Sequence, residues 1–366
     1  TGLVGPDPAT GNMYDYNKDH YLDTEVMSAF FAVYWDLNDR TEVTFGARYT
    51  EEEKNGRIEI AYVHAAAAAF GFGGPPVIGP LEFEDDNISP EVAVNYYIND
   101  DVSVFVAYKE GFKSGGVDNS ALPTAALNPL SPGFNGFGFL IYNSEEAEGF
   151  EVGVKANLLD GAMRLNATAF SYEYSDLQVQ LFDSTIIQFK TFNASALETQ
   201  GFEFDVLWNT NIDGLTLRSA WAWTDTSYSE DFITATGDNL KGEDGVGSAD
   251  IAGFVGFSYD KPLTSGWRIN LSADARHTGE YSWSASLDPF MQGDFWVNDA
   301  SISIYSESGR HAFNIIGRNI GDEYYILGGG AIPGRIPTDN TSANSLDQAA
   351  TTNLGRTLSL QYVFKM

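Results

Sequence analysis

Residues 267–274 read Trp-Arg-Ile-Asn-Leu-Ser-Ala-Asp, with an apolar side chain at every odd position and a polar one at every even position. Successive side chains of a β-strand point to opposite faces, so this stretch predicts a strand with one apolar and one polar face. The same alternation recurs at 42–49, 88–96, 202–208 and 357–364, whereas a helical period of 3.6 residues is almost absent. The sequence therefore predicts an all-β protein.

The alternation predicts about thirteen strands along the chain. They are expected near 24–36, 41–54, 87–98, 101–113, 146–158, 162–182, 186–210, 214–227, 249–260, 265–277, 293–306, 310–325 and 354–365. Short turns rich in Asp, Asn, Gly and Ser alternate with long connections, apart from a short one at 183–186. Outer-membrane barrels have short periplasmic turns and long extracellular loops. We therefore expect an antiparallel transmembrane β-barrel in a Gram-negative outer membrane.

The composition excludes several classes of protein. The chain has 366 residues, no cysteine, 14% aromatic residues and a formal net charge of −31. Nucleic acid is not an expected partner, because no basic patch exists to displace counterions from phosphates. No run approaches the roughly 18 apolar residues of a transmembrane helix, whereas a barrel satisfies its backbone groups between strands. Outer-membrane lipid and lipopolysaccharide are the expected surroundings.

Several segments resemble the C-terminal barrel of TonB-dependent receptors. They are 107–117 with its Gly-Phe-Lys-Ser-Gly-Gly turn, 151–179, 200–203, 317–325 with Gly-Arg-Asn-Ile-Gly-Asp-Glu-Tyr-Tyr, and 355–357. The resemblance implies a 22-stranded barrel to which residues 1–366 contribute about strands 10 to 22. It also implies a plug domain, first strands and a TonB-contacting N-terminal segment outside this chain. One departure is the end, where the family usually finishes on an aromatic residue and this chain finishes on Lys365-Met366.

The function implied by this resemblance is active uptake of a bulky, scarce nutrient. A siderophore-like iron chelate, cobalamin or an oligosaccharide would qualify. The alternative is a passive diffusion porin of about sixteen strands, which needs further strands in 1–23 and in the long loops. Residues 1–23 read instead as an extracellular loop, and an odd strand count favours part of a larger barrel.

No catalytic constellation is evident, and neither an enzyme nor a cofactor is expected. The four histidines are scattered, with no metal-ligand spacing. The acidic segment 228–250 could hold calcium in an oxygen-rich loop, but its spacing matches no EF-hand and favours a solvated acidic surface.

Ligand contacts are expected at the extracellular ends of strands. The candidate residues are Phe112, Lys113, Arg276, His277, Tyr281, Trp283, Tyr324 and Tyr325. Aromatic rings and cations suit a small molecule or glycan through stacking and charge-assisted hydrogen bonds, although the same residues would suit an interfacial girdle or loop packing. Five arginines fall in the polar, lumen-facing register, where they could face a plug: Arg48, Arg164, Arg218, Arg268 and Arg276.

Overall fold

One antiparallel sheet of thirteen strands organises the part of the chain that the structure describes. The computed structural model describes residues 5–69, 73–118, 136–183, 188–234, 237–263, 266–283, 290–331 and 348–365. The strands of the sheet are β1 Tyr16–Asn38, β2 Thr41–Val63, β3 Val77–Tyr97, β4 Val102–Lys113, β7 Glu145–Leu158, β8 Met163–Ser175, β11 Leu197–Asn209, β12 Leu215–Tyr228, β13 Ile251–Pro262, β14 Trp267–Thr278, β17 Phe295–Ser306, β18 His311–Arg318 and β21 Thr357–Phe364. The predicted number of long strands is confirmed.

Eight shorter strands lie in the connections. They form four two-stranded sheets: β5 Gly116–Val117 with β6 Ile141–Tyr142, β9 Gln178–Asp183 with β10 Gln188–Asn193, β15 Tyr281–Ser282 with β16 Met291–Gln292, and β19 Ile326–Ala331 with β20 Gln348–Thr352. A three-residue helix, Ala65–Ala67, follows β2. No helix in the described ranges is long and apolar enough to cross a membrane.

The thirteen long strands form a simple meander, each hydrogen-bonded to the next long strand along the chain. Short turns join them at one end, for example between β12 and the preceding β11, where Gly214 has a φ of 81°. All the short-stranded sheets lie in connections at the other end. β1 and β21 are the edges of the sheet.

The first three strands are longer than the sequence predicted. β1 begins at Tyr16, so the expectation that all of residues 1–23 form a loop is wrong beyond Asp15. β1 and β2 continue beyond the predicted 24–36 and 41–54, and β3 begins at Val77 rather than near residue 87. The acidic residues here interrupt the apolar alternation, but the backbone pairing continues through them.

Three other predicted strands have the wrong bounds. The predicted strand 162–182 is broken after Ser175, because Asp176 adopts a left-handed φ of 53° and turns the chain out of the main sheet. The predicted strand 186–210 is broken between β10 and β11. The predicted strand 310–325 ends at Arg318, because Asn319 has a φ of 49°. The connection 183–186 lies largely outside the described residues.

The two faces of the main sheet differ in chemistry, as the alternation predicted. On one face, Leu271, Ile302, Ile315 and Leu360 form a cross-strand row of apolar side chains. Three of them are exposed in this chain, at 44% for Ile302, 46% for Ile315 and 78% for Leu360. An apolar row that faces out of the protein suits contact with lipid. We call this the outward face.

The opposite, luminal face is polar. In the neighbouring row, the Ser303 hydroxyl donates to the Asn314 side-chain oxygen at 2.6 Å, and the Asn314 amide donates to Gln361 at 3.0 Å. The five arginines predicted to face the lumen all fall in this register.

Aromatic clusters on the outward face mark two levels of the sheet. The rings near the long-loop end belong to Phe202, Phe204, Trp221, Trp223, His277 and Trp296. The rings near the short-turn end belong to Trp267, His311, Phe313, Tyr362 and Phe364. In β14 the two levels are Trp267 and His277, and ten residues of tilted strand span about 25 Å of membrane. The clusters therefore have the spacing of two interfacial girdles.

Beyond the upper girdle, the extended strands carry a small hydrophobic core on their luminal face. Ile58, Ile78 and Leu81 of β2 and β3 pack against Val117 and Leu140 from the next connection. A second core holds the β9–β10 hairpin against the segment after β12 and centres on Ala194, Tyr228, Phe232 and Leu240. These cores order the long-loop end.

Asp7 fastens the N-terminal segment to the top of β2. Its buried carboxylate accepts hydrogen bonds from the backbone N–H of Ala65 at 2.9 Å and Ala9 at 2.7 Å, and from the Tyr62 hydroxyl at 2.8 Å. The donors, first the Ala65 amide and then the Tyr62 hydroxyl, hold the pKa of Asp7 well below its usual range.

We expect Asp7→Asn to speed amide hydrogen exchange in residues 7–12 and at Ala65 at neutral pH. The native carboxylate stabilises this contact above its unfolded pKa of about 4, and the contribution is lost as pH falls through the depressed folded value. Mass-spectrometric exchange should show protection in the native protein falling below about pH 4 and staying nearly flat in the variant. Equal protection of both proteins at neutral pH would contradict this role of Asp7.

Candidate functional site

A row of charged side chains crosses the luminal face at one level. Arg218, Gly256, Asp274 and Asp299 are directly opposite one another on β12, β13, β14 and β17. Gly256 has no side chain, so the Arg218 guanidinium reaches across β13 to within 3.6 Å of an Asp274 oxygen. A Cβ at position 256 would lie 3.1 Å from Asp274 Cβ and 3.2 Å from Arg218 Nε. The glycine therefore keeps the path between the two charges open.

Asp299 has both oxygens occupied. Arg276 donates to its Oδ2 at 2.7 Å, and the backbone N–H of Asn319 donates to its Oδ1 at 2.7 Å. Arg276 also lies 4.0 Å from Asp274, so the row is a continuous network of arginines and aspartates. Linked pairs of this kind hold long side chains in one geometry better than isolated surface pairs do.

Asn319 builds the turn that follows β18. Its side-chain amide donates to the Glu323 carbonyl at 2.7 Å, and its side-chain oxygen accepts from the Glu323 N–H at 2.9 Å. The residue is buried and has a positive φ, which asparagine tolerates better than most residues do. The turn leads to Tyr325, whose N–H donates to Asn353 at 3.0 Å.

The turn places Tyr325 on an aromatic ledge at the long-loop end. Its ring stacks on Phe295 with centroids 4.3 Å apart and planes at 5°. Phe295 belongs to the luminal register of β17, four residues from Asp299. Tyr281 and Trp283 form an edge-to-face pair at 5.4 Å. Burial, and then the neighbouring Tyr325, raise the pKa of the Tyr281 phenol, so this hydroxyl stays neutral.

Trp283 adds an unused donor to the ledge. Its indole nitrogen Nε1 is buried and has no hydrogen-bond partner among the described residues. A buried indole N–H usually finds an acceptor, which here would come from outside the described residues. Of the four rings, Phe295 is buried, whereas Tyr281, Trp283 and Tyr325 are partly exposed.

Four of the eight candidate residues lie in this region of the luminal wall and its rim. Arg276 is in the charged row, Tyr325 is in the stacked pair, and Tyr281 and Trp283 form the second pair. These residues come from two stretches that are more than forty positions apart in the sequence.

The other four candidates lie elsewhere. His277 is on the outward face, 4.7 Å from the Trp296 ring, within the upper girdle. Phe112 has the outward register of β4, opposite Glu146. Lys113 lies 3.7 Å from Glu145, on the same strands as Phe112. Tyr324 is 61% exposed and lies beside Gly355.

The surroundings of Lys113 form a polar clasp between loops. The Gln178 side-chain amide donates to the carbonyl oxygens of Lys113, Ser114 and Asn143, each at 3.1 Å. The Gln178 backbone N–H donates to Glu145, the ion-pair partner of Lys113. These contacts connect three extracellular segments of the rim.

The sequence-based choice of site residues missed Phe295, Asp299 and Asn319. Asn319 lies in the Gly-Arg-Asn stretch that carries the family resemblance, and that stretch is the one sequence signal for it. Phe295 and Asp299 carried no such signal, since they look like any other alternating strand residues. In the described ranges, no group of three or more His, Asp or Glu residues is arranged to hold a metal ion.

A two-sided antiparallel sheet with an apolar outward face, two aromatic girdles and an ion-paired luminal face defines part of an outer-membrane β-barrel. A family model described as TonB dependent receptor-like, beta-barrel matches residues 2–315. The chain therefore belongs to the TonB-dependent receptor β-barrel family.

Individual relatives agree. The Pesticin receptor of Yersinia pestis is 21% identical over 203 residues, which are 56% of this chain and 25% of that protein. The crystal structure of the ferric yersiniabactin uptake receptor FyuA from Yersinia pestis matches with a TM-score of 0.72 at 16% identity, over 96% of this chain and 47% of that one. The ferric-catecholate import receptor Fiu from E. coli K12 matches with a TM-score of 0.64 at 16% identity, over 95% and 45%. This chain spans less than half of these relatives.

We expect Gly256→Val to destabilise the barrel by about 1–3 kcal/mol, because the new side chain overpacks the space through which Arg218 meets Asp274. Urea unfolding, monitored by the gel mobility of unheated samples, would measure the lost free energy of unfolding. Gly111→Val is the matched control, since Gly111 is in the luminal register of β4 and a Cβ there meets nothing within 4 Å. Equal midpoints for the two variants would contradict this account.

Asn319→Ala should loosen the turn at 319–325 and displace Tyr325 from Phe295. The variant loses the side-chain bonds to Glu323, and alanine lacks the polar side chain that lets asparagine tolerate a positive φ. Hydrogen exchange should accelerate at 320–326 while the amides of β14 keep their protection. Asn319→Asp retains an acceptor and tolerates the same φ, so its exchange rate should lie between those of the native protein and Asn319→Ala. Unchanged exchange in Asn319→Ala would contradict the role of Asn319 in building the turn.

Proposed function

We propose that this chain forms part of the wall of a TonB-dependent importer that takes up a bulky iron chelate or similar scarce nutrient across the outer membrane. The observation that carries the proposal is the luminal wall itself, where an aromatic ledge at the long-loop end lies above a charged row. A membrane-spanning sheet needs neither feature for contact with lipid. Both suit a ligand that enters from outside.

The rest of the importer is inferred from the relatives. Because the sheet has two edge strands, β1 and β21, we propose that further strands close it into a barrel of about 22 strands. We further propose that a plug domain fills the lumen and that a segment on the plug contacts TonB. The luminal arginines Arg48 and Arg164 lack a carboxylate partner among the described residues and would be available to such a plug.

No covalent chemistry is part of this proposal. Uptake would change only the position of the ligand and the conformation of the plug, and no bond would be made or broken. Two similar structures are those of a ferric yersiniabactin uptake receptor and a ferric-catecholate import receptor, which makes a ferric chelate the first ligand class to test.

Accumulation of radioactive iron by whole cells tests the proposal. Cells that express the complete protein should accumulate iron from a ferric chelate only when TonB is present and the inner membrane is energised. A protonophore should abolish accumulation while surface binding remains. Uptake that persists without TonB, with ion conductance through open pores in planar bilayers, would instead support the passive porin.

A further inference from the structure

At the level of the membrane, β1 is apolar on both of its faces. Residues 29–35 read Ala-Phe-Phe-Ala-Val-Tyr-Trp, an unbroken apolar and aromatic run in place of the usual alternation. A strand with one wet face alternates, whereas a continuous apolar run is typical of a strand that is buried on both faces. Lipid would cover the outward face of β1. The run therefore predicts an apolar partner on the luminal face as well.

Strand pairing identifies the side chains that need this partner. Phe30 is directly opposite Arg48 of β2, which gives it the luminal register, and every second residue of β1 shares that register. We use the name luminal stripe for the large apolar side chains among them, which are Leu22, Val26, Phe30 and Tyr34. Their exposed fractions range from 48% at Leu22 to 77% at Phe30.

The position of β1 at an edge of the sheet does not account for the luminal stripe. β21 is the other edge, and most of its luminal residues are polar: Thr357, Ser359 and Gln361. A further strand beside β1 would lie along the flanks of the stripe and would leave its luminal ends uncovered. The missing contact is with something inside the lumen.

The luminal stripe is long. From Leu22 to Tyr34 it extends roughly 40 Å along the strand. At its upper end it borders the small core on β2 and β3, since a Cβ added at Gly56 would lie 3.6 Å from Leu22 Cδ1 and 3.4 Å from Val117 Cγ2. A solute in transit touches only one level of such a stripe at a time. Burial of the whole stripe needs a stationary, folded partner of comparable length.

The shape of the luminal stripe also suits a packed protein surface. The luminal residues between its large side chains are small: Thr24, Ser28 and Ala32. Large and small side chains that alternate along a strand can interdigitate with those of a facing surface at the density of a protein interior.

We propose that the luminal stripe of β1 anchors the plug domain, and that an apolar face of the plug packs against it. This inference rests on the proposed uptake function, which supplies the plug, and it adds where on the wall the plug is held and by what chemistry. The charged row begins on β12, seven strands away from β1 in the sheet. Ionic contacts there weaken in salt, whereas apolar contacts at β1 are not screened.

Photo-cross-linking in the complete protein, in outer membranes, identifies the partner. The photoreactive residue p-benzoylphenylalanine is placed at position 30 or, as the matched control, at the neighbouring position 31. Phe31 is also exposed in this chain, at 59%, but has the outward register. Mass spectrometry should find position 30 joined to apolar residues of the plug within the same chain, and position 31 joined to lipid.

Substitution measures the strength of the contact. Phe30→Ser should speed amide hydrogen exchange in the cross-linked plug segment about tenfold or more, because apolar burial is lost. The difference should persist at about 1 M salt, where ionic contacts are screened. Phe30→Leu should stay close to the native protein, and Phe31→Ser should leave exchange in the plug unchanged. The gel mobility of unheated samples verifies that each barrel is folded.

The outcomes separate this inference from the uptake function. A plug that is present but is not cross-linked from position 30, or that exchanges equally in native and Phe30→Ser protein, overturns this inference alone. So does a cross-link from position 30 to lipid or to a second copy of the protein. A complete protein that has no plug, and whose iron uptake does not need TonB, overturns the proposed uptake function as well.

Discussion

The structure depends on one constraint, which is that the backbone of a membrane-spanning chain must form its hydrogen bonds between strands. The ladder runs without interruption from β1 to β21. Once the strands are fixed side by side, every side chain is assigned to one of two faces. The luminal residues are then held in cross-strand rows, so Arg218 and Asp274 meet only because Gly256 stands between them.

The sequence predicted the features that depend on local alternation. A period of two is visible in the sequence of each strand by itself. It predicts the number of long strands, the chemistry of the two faces and the luminal register of the arginines. The extensions of the first three strands were not predictable in this way. They are stabilised by Val117 and Leu140, which pack onto Ile58 and Ile78 from distant parts of the chain.

The site was predictable only in part, for the same reason. Arg276 and His277 are neighbours in sequence and looked equivalent, but alternation puts the first in the charged row and the second in the upper girdle. Tyr325 was predictable as an aromatic residue at the extracellular end of a strand, whereas its stacking on Phe295 depends on a turn defined by a single buried asparagine. The sequence does not show which loops contact each other. It also does not show that Asp299 is already paired with Arg276.

The length of β2 affects how a solute reaches the lumen. Beyond Tyr49 the strand continues to Val63, and fourteen residues of tilted strand rise roughly 35 Å above the apolar band. On this side of the sheet, the hydrogen-bonded extensions of β1, β2 and β3 form a wall beside the entrance. A solute that approaches over this part of the sheet therefore meets paired strands before it reaches the luminal face.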